Sequence, residues 1–291
     1  MMIVGAVEFG GTKVRCAVGT GPKDLRGEVS IPTGNPEETL REVVAFFRAS
    51  EPVTSIGVGC FGPVDRTPGS ATWGSIVDTP KPGWSNTPVA DVISRELRVP
   101  VAFDTDVAAA LVGEARWGAA RDVGAAVYLT VGTGIGGAAM VDGQGVGGRM
   151  HPEMGHIPVP VQPDDPLPRG ICPFHDNCLE GRAAGPSLRE RWNCAGEDLP
   201  DDHPAWDLEA RYLAHGMQAI GLIVAPDRIV LGGGLGLRDG LIERIRVHLA
   251  TGLGGYGGFP SPEAWLVPAG LGHDAGLLGG FAMAMDLNQP A

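Results

Sequence analysis

The sequence is short of positive charge. Its 291 residues include 22 Lys and Arg against 34 Asp and Glu, which gives a formal net charge of −12. A surface of this sign repels nucleic-acid phosphates and anionic lipid headgroups. We therefore expect no nucleic-acid partner and no membrane association. An anionic substrate would need local donors such as backbone amides, a lysine or a metal ion.

Long apolar runs and cysteines are also scarce. No run approaches the roughly eighteen apolar residues of a membrane span, and the N-terminus lacks the segments of a signal peptide. The five cysteines are odd in number and scattered along the chain. Without an export signal, we expect a cytoplasmic protein with reduced thiols.

Glycine, by contrast, is abundant. The chain has 46 glycines without a fixed period, beside 43% hydrophobic residues, which favours tight turns rather than disorder. Predicted strands alternate with predicted helices, which indicates an α/β chain with mixed sheets. One such helix is NPEETLREVVAFFRA (35–49), where Asn35 is a good N-cap and Pro36 suits the first helical position.

A strand–turn–strand pattern occurs twice. The opening residues 1–21 read as an apolar strand, a Gly10-Gly11 turn and a second strand, and AAVYLTVGTGIGGAAMVDGQG (125–145) repeats this plan. Recurrence of one supersecondary unit predicts a duplicated architecture of two related halves.

Glycine-threonine turns offer unhindered backbone N–H groups and a hydroxyl, which suit phosphate oxygens. A lone turn of this kind is usually only a hairpin, whereas three glycine clusters favour a nucleotide site. Neither GxxxxGK[ST] nor a GxGxxG that leads into a helix is present, so a bound nucleotide would lie between hairpins. The candidate residues are Gly10, Gly11, Thr12 and Lys13 in the first turn, Gly132, Thr133 and Gly134 in the second, and Gly232, Gly233 and Gly234 in the third.

The segment DTDV (104–107) lies where a predicted strand gives way to a helix. One of Asp104, Thr105 and Asp106 could simply cap that helix. Alternatively, Asp106 could be a general base that accepts a proton from a hydroxyl nucleophile, near the positive end of the helix dipole. The spacing leaves both readings open.

A cluster of Cys and His follows at Cys172, His175 and Cys178, with His156 upstream. Two Cys and two His suit a closed tetrahedral zinc site of the structural kind, which would hold a proline-broken loop in place. A disulfide between the two cysteines is disfavoured in the cytoplasm, and unrelated polar loop residues remain the alternative. Glu153 and Glu180 flank the cluster and could accept hydrogen bonds from a polyol.

Seven segments, in order, resemble the motifs of the ROK family of sugar kinases, and the resemblance extends over nearly the whole chain. It is strongest to the bacterial fructokinases whose zinc loop reads His…Cys-x2-His-x2-Cys. The segments are EFGGTK (8–13), GVGCFGPVD (57–65), DTDVAAALVGE (104–114), LTVGTGIGGAAM (129–140), HPEMGH (151–156), CPFHDNCLEG (172–181) and VLGGGLG (230–236).

The resemblance implies an actin-like ATPase fold of two ribonuclease-H-like domains with an interdomain cleft. We expect an N-terminal domain at 1–105, completed by the C-terminal helix 275–291. A second domain at 106–274 would carry the zinc loop 151–181. The implied reaction is ATP-dependent phosphorylation of a hexose, most simply D-fructose to fructose 6-phosphate. The resemblance also suggests a homodimer.

The family's residue roles transfer to matching positions. The first two glycine turns would embrace the phosphates of MgATP, and the third would lie against the adenosine. Asp106 matches the catalytic base. Glu153, His156 and Glu180 match the sugar pocket, with His156 also a ligand of a structural zinc. Three positions depart from common family patterns: Glu8 replaces Asp, Ala108 replaces Asn, and His175 replaces a third zinc-binding cysteine.

Rival functions remain open at this point. A kinase for glucose, mannose or an N-acetylated hexosamine would differ only in a few pocket hydrogen bonds. A sugar-responsive repressor of the same family would carry an N-terminal helix-turn-helix, whereas the first predicted strand here begins at Ile3. A zinc-stabilised nucleic-acid-binding module conflicts with the acidic net charge.

Overall fold

A computed structural model of the chain describes residues 2–148 and 150–288. Strands and helices alternate along it, which confirms the predicted α/β class. The strands are β1 (Val4–Phe9), β2 (Lys13–Gly21), β3 (Asp24–Pro32), β4 (Ile56–Cys60), β5 (Val64–Asp65), β6 (Ser75–Ile76), β7 (Val101–Thr105), β8 (Ala125–Val131), β9 (Ile135–Val141), β10 (Gln144–Gly145), β11 (Arg228–Gly232) and β12 (Leu266–Pro268). The helices are α1 (Pro36–Ala49), α2 (Val89–Leu97), α3 (Asp106–Trp117), α4 (Leu179–Ala183), α5 (Gly185–Trp192), α6 (Ala205–Val224), α7 (Leu241–Leu253), α8 (Pro262–Trp265) and α9 (Ala275–Asp286).

The chain forms two compact units. Unit 1 consists of Met1–Gly118, Gly147–His151 and Asp274–Ala291, and unit 2 consists of Ala119–Val146 and Pro152–His273. This division differs from the predicted limit after residue 105, because α3 packs with the strands and the last helix of unit 1.

The sheet of unit 1 has the order β3-β2-β1-β4-β7. Strands β1, β2 and β3 pair antiparallel, whereas β4 is parallel to both β1 and β7. Alternate residues of a strand face opposite sides of a sheet. Ile56 and Val58 therefore join the core formed with Phe47 and Ile93 of α1 and α2. Between them, Gly57 lies against the backbone of α9.

The sheet of unit 2 repeats this topology with the order β10-β9-β8-β11-β12. Strands β8, β9 and β10 pair antiparallel, and β11 is parallel to both β8 and β12. Helices α6 and α7 pack Leu213, Met217 and Ile245 against Leu129 and Leu231 of the sheet. The matching strand orders confirm the two related halves that the repeated hairpins predicted.

Local signals explain several element boundaries. Helix α1 begins at Pro36 because the Asn35 side chain caps it, accepting a hydrogen bond from the Glu37 amide at 2.9 Å. Helix α7 begins only at Leu241, since the preceding Gly240 has a φ of 75° that is incompatible with a helix. No helix in the described ranges has the length and apolar character needed to cross a bilayer.

Helices α3 and α9 approach each other through glycine. A Cβ added at Gly279 would collide with the carbonyl of Ala109, and one added at Gly113 would meet the carbonyl of Ala275 at 2.8 Å. This close contact holds α3, with Asp106 at its first turn, against the last helix of unit 1.

Substitution Gly279→Ala tests this packing. In an exposed helix the change would stabilise the protein by up to about 1 kcal/mol. Here we expect it to lower the free energy of unfolding by about 1–3 kcal/mol, because the added methyl overpacks the contact between α3 and α9. Urea denaturation measures the change.

The matched control is Gly34→Ala, where an added Cβ meets nothing within 4 Å. We expect that control to change the free energy of unfolding by less than about 0.5 kcal/mol. A Gly279→Ala protein at least as stable as wild type would show that the two helices are not in tight contact.

Candidate active site

The first glycine turn connects β1 to β2 in unit 1. The carbonyls of Gly10 and Thr12 accept hydrogen bonds from Thr33, and the carbonyl of Gly11 accepts one from Lys81 Nζ at 2.6 Å. Gly11, Thr12 and Lys13 are exposed. With its carbonyls held by the protein, the turn can present amide N–H groups and the Lys13 ammonium to an anion.

Asp106 is the first residue of α3, directly after β7. Thr105 caps the helix, since its hydroxyl accepts a hydrogen bond from the Ala108 amide at 3.1 Å. Asp106 Oδ1 accepts one from the Val107 amide at 2.9 Å. The capping role that the sequence left open thus belongs to Thr105, and Asp106 is half-buried beside the end of the sheet.

Glu8 lies close to Asp106 near the end of β1. Its carboxylate is 3.7 Å from Arg15, which also pairs with Glu28 at 2.8 Å and Asp274 at 2.7 Å. Burial raises the pKa of Glu8 to about 7, and the negative charge of Asp106 acts in the same direction while Arg15 opposes it. The raised pKa of Glu8 therefore reflects both its burial and its neighbouring carboxylate.

The second and third glycine turns lie together in unit 2. The amides of Leu235 and Gly236 both bond to the carbonyl of Val131 at 3.0 Å, and Gly233, with a φ of 82°, packs directly on that carbonyl. The amide of Gly185, the first residue of α5, bonds to the carbonyl of Gly132 at 2.8 Å. The N-terminus of α5 therefore adjoins both turns.

These turns border a cavity of about 620 Å³ within unit 2. Its size lies in the range of small-molecule sites. Besides Gly132, Thr133 and Gly234, it is lined by charged residues that the sequence did not single out: Arg189, Glu197 and Arg238. Arg189 lies in α5 and Arg238 in the loop before α7, and charged residues in such positions usually belong to a solvated surface, so no sequence signal marked them.

The four predicted metal ligands also come together in unit 2. Nδ1 of His156 lies 3.9 Å from Sγ of Cys172 and 3.7 Å from Sγ of Cys178, and Nδ1 of His175 lies 3.7 Å from Sγ of Cys172. All four ligand atoms lie within 4.8 Å of one another. Neighbouring N and S ligands of a tetrahedral zinc are about 3.6 Å apart, so the residues fit such an ion.

The pKa of the Cys178 thiol also favours a bound metal ion at this group. Burial raises the pKa of Cys178 to about 11, and the neighbouring Cys172 and Glu180 also raise it. Two adjacent thiolates are unfavourable without a positive charge between them, and a bound cation supplies that charge. The group can therefore hold a metal ion.

Glu180 and Glu153 lie near this group in the chain. Glu180, in α4, accepts a hydrogen bond through Oε2 from the Ile135 amide at 2.9 Å, directly after the second glycine turn. Glu153 precedes a 3-10 turn at Met154–His156, and its carbonyl accepts a bond from the His156 amide at 3.0 Å. Both acids are half-buried.

The predicted site residues thus form two groups. Unit 1 contains the Gly10–Lys13 turn and Asp106, and unit 2 contains the other two turns, the Cys/His group, Glu153 and Glu180. Lys81 and Arg15 in unit 1 are further charged residues at the site that the sequence analysis missed. Their contacts with Gly11 and Glu8 join residues distant in the sequence, which no local pattern reveals.

Comparison with known proteins gives consistent matches. The sequence profile of the ROK family matches residues 4–287. The fructokinase of Pediococcus pentosaceus is 38% identical over 97% of this chain and 98% of its own length, and that of Zymomonas mobilis subsp. mobilis is 39% identical over 97% and 96%. The crystal structure of a ROK hexokinase from Thermus thermophilus superposes with a TM-score of 0.78 at 27% identity, covering 99% of each chain.

These matches agree with the fold and with the motifs that the resemblance rested on. The solved relatives have the actin-like ATPase fold, and the repeated sheet topology seen here is that of two such halves. Since the family profile spans nearly the whole chain and sugar kinases match it from end to end, the chain belongs to the ROK family.

Proposed function

We propose that the protein transfers the γ-phosphoryl group of MgATP to a hydroxyl of a hexose, with D-fructose as acceptor and fructose 6-phosphate as product. The observation that carries this proposal is the identity of 38–39% to fructokinases over 97% of the chain. The glycine turns, Asp106 and the Cys/His group support the proposal because they match the motifs of sugar kinases of this family.

The nucleotide would occupy the cavity of unit 2. Its adenosine would lie against Gly234 and the Gly196–Glu197 wall, with Arg189 and Arg238 as nearby cations. The Gly132–Gly134 turn and the Gly10–Lys13 turn would donate backbone N–H groups to the phosphates. Phosphoryl transfer needs chiefly positioning and charge stabilisation, which amide-lined turns supply. The Mg²⁺ would be held mainly through phosphate oxygens and water.

Asp106 would act as the general base. Its carboxylate, at the first residue of α3, would accept the proton of the sugar hydroxyl as that oxygen attacks the γ-phosphorus.

Glu153, His156 and Glu180 would bind the sugar. Nδ1 of His156 faces the cysteine sulfurs, which leaves Nε2 for a sugar hydroxyl. Oε2 of Glu180 is fixed by the Ile135 amide, which leaves Oε1 for a second hydroxyl. Hydrogen bonds of this kind distinguish hexoses, because an unmatched polar group in a closed pocket is costly.

Zinc is the metal that we propose for His156, Cys172, His175 and Cys178. Four protein ligands fill a tetrahedral ion, so it would have a structural role and would tie the sugar-binding loop together. We further propose that the protein acts in the cytoplasm as a homodimer, with ATP and a hexose as partners and neither nucleic acid nor membrane. The net charge of −12 supports the last point.

The test is ATP turnover with D-fructose, D-glucose, D-mannose and N-acetylmannosamine, with metal content assayed on the same sample. We expect fructose to dominate, with about one zinc per chain. Preference for glucose, mannose or an N-acetylated hexosamine would support the alternative kinases of this family. No sugar-dependent turnover with any acceptor would contradict the catalytic proposal and favour a non-catalytic sugar-sensing role.

Substitution Asp106→Asn should retain the fold and ATP binding while lowering kcat by roughly 10²–10⁴-fold, because the sugar hydroxyl loses its proton acceptor. Steady-state kinetics and nucleotide titration measure the two effects. Asp104→Asn is the matched control, since Asp104 pairs with Arg66 at 2.9 Å and has no proposed role in proton transfer. If the Asp106→Asn protein were as active as the Asp104→Asn protein, Asp106 would not be the general base.

Substitution Cys172→Ser should remove the bound metal and raise the KM for the sugar by about tenfold or more, because the loop that carries His156 loosens. Elemental analysis and kinetics at saturating ATP measure both. Cys194→Ser, a cysteine outside the metal group, should leave metal content unchanged. A Cys172→Ser protein with full metal content and unchanged sugar KM would disprove the proposed link.

The raised pKa of Glu8 predicts a pH-dependent stability. The folded protein holds the Glu8 proton up to about pH 7, whereas the unfolded chain releases it near pH 4.5. The contribution of Glu8 to the free energy of unfolding is therefore fully present below pH 4.5 and is lost as the pH rises through 7. The neutral Glu8→Gln variant should therefore gain about 1–3 kcal/mol relative to wild type between pH 5 and 8. If the free energy of unfolding depended on pH in the same way for both proteins across this range, the raised pKa of Glu8 would be contradicted.

A further inference from the structure

We propose that Asp165 is a positioning residue for Glu180, and that a buried network around it, the Asp165 lock, holds the metal-binding loop independently of the metal. The lock consists of Asp165, Arg182, Arg191 and Tyr212. The inference rests on the proposed role of Glu180 in sugar binding, whereas the existence of the lock does not.

Asp165 lies in the proline-rich part of the loop, at 160–168, and its side chain is fully buried. Its Oδ2 accepts hydrogen bonds from Tyr212 Oη at 2.6 Å, Arg182 Nη1 at 3.0 Å and Arg191 Nη2 at 3.1 Å. Its Oδ1 accepts one from Arg191 Nε at 2.8 Å and one from the Leu167 amide at 2.9 Å. Every lone pair of the carboxylate is thus engaged.

This degree of pairing keeps the carboxylate charged inside the protein. Burial opposes ionisation, but the hydrogen bonds from Arg191 and Tyr212 lower the pKa of Asp165 to about 2. Arg182 and Arg191 are also fully buried. A buried ion cluster of this kind is strongly disrupted when one partner is removed, because the remaining charges stay buried without compensation.

The network links three parts of unit 2 to the loop. Arg182 in α4 donates hydrogen bonds to the carbonyl of Leu167 at 2.8 Å and to Asn177 Oδ1 at 2.5 Å. It therefore holds the loop on both sides of the metal ligands Cys172 and His175. Arg191 in α5 donates to the carbonyl of Arg182 at 2.9 Å. Tyr212 in α6 accepts a bond from the Gln162 amide at 3.1 Å.

Glu180 lies midway in the sequence between the Cys/His group and the Asp165 lock. Two residues before it, Cys178 is both a metal-ligand candidate and the cap of α4, accepting a bond from the Gly181 amide at 3.3 Å. Two residues after it, Arg182 belongs to the lock. The short helix α4 is therefore held at its start by the Cys/His group and at its end by Asp165, and this fixes the direction of the Glu180 carboxylate.

The experiment compares Asp165→Asn with Asp164→Asn in the full-length, zinc-loaded protein. Asp164 is the matched control because it is the adjacent residue with the same side chain. Its carboxylate is 61% exposed and pairs with Arg211 at the surface. The measurements are hydrogen exchange of peptides covering 160–168 and 179–183, the rate of zinc release to a chelator, and KM and kcat with D-fructose.

We expect Asp165→Asn to increase exchange in both segments with zinc still bound, and to accelerate zinc release about tenfold, as loss of a residue supporting the metal ligands does. The KM for fructose should rise by a similar factor while kcat changes less, a split that general loss of stability would not produce. Stripping zinc from wild type should leave 160–168 protected. The Asp164→Asn protein should match wild type throughout.

Wild-type exchange and wild-type fructose KM in Asp165→Asn would overturn the proposal, as would loss of protection at 160–168 on zinc removal alone. If Asp165→Asn does not fold, the variant Tyr212→Phe tests the proposal instead, because it deletes the hydrogen bonds of Tyr212 to Asp165 and to the Gln162 amide and keeps both arginine pairs. Raised exchange at 179–183 in that variant supports the lock, because the Gln162 amide at 160–168 loses its own acceptor in any case, and unchanged exchange at 179–183 overturns it. A protein inactive on every hexose but with the expected exchange pattern would refute the proposed function and not the lock.

Discussion

Backbone segments in both units approach so closely that no Cβ fits between them, and the placement of the site depends on this. In unit 1, Gly279 of α9 meets the carbonyl of Ala109 in α3, and Gly57 of β4 meets the carbonyl of Gly280. These contacts fix the first turn of α3, and so Asp106, at the end of the sheet. In unit 2, Gly233 packs on the carbonyl of Val131, which joins the second and third glycine turns around one cavity.

Electrostatics in this acidic chain work through local pairing. Arg15 is surrounded by Glu8, Glu28 and Asp274, so three carboxylates near Asp106 share one guanidinium. In unit 2 the ratio of cations to carboxylates is reversed, because the two buried arginines Arg182 and Arg191 share the single carboxylate of Asp165. The anionic nucleotide that we propose would therefore meet backbone amides and a few placed cations rather than a basic surface, in agreement with the net charge.

The loop that carries the Cys/His group depends on both close packing and local charge pairing. Its prolines prevent regular secondary structure, so side-chain bonds must provide the order that a helix or sheet would otherwise give. The Cys/His group and the Asp165 lock act at opposite ends of α4, and Glu180 between them also holds the amide that follows the second glycine turn. The proposed sugar and phosphate sites are thereby connected through one short helix.

The sequence by itself determined the features that depend on neighbours within a few residues. These include the capped helix α1, the glycine turns, the duplicated hairpins, the spacing of the metal ligands and the motifs of the ROK family. The tertiary structure decided that Thr105 rather than Asp106 caps α3, that Arg189 and Arg238 line the cavity, that α3 packs with unit 1, and that Asp165 is a buried anchor. Asp165 and Tyr212 are 47 residues apart, and such bonds form only when the folded core brings distant residues together and excludes water from them.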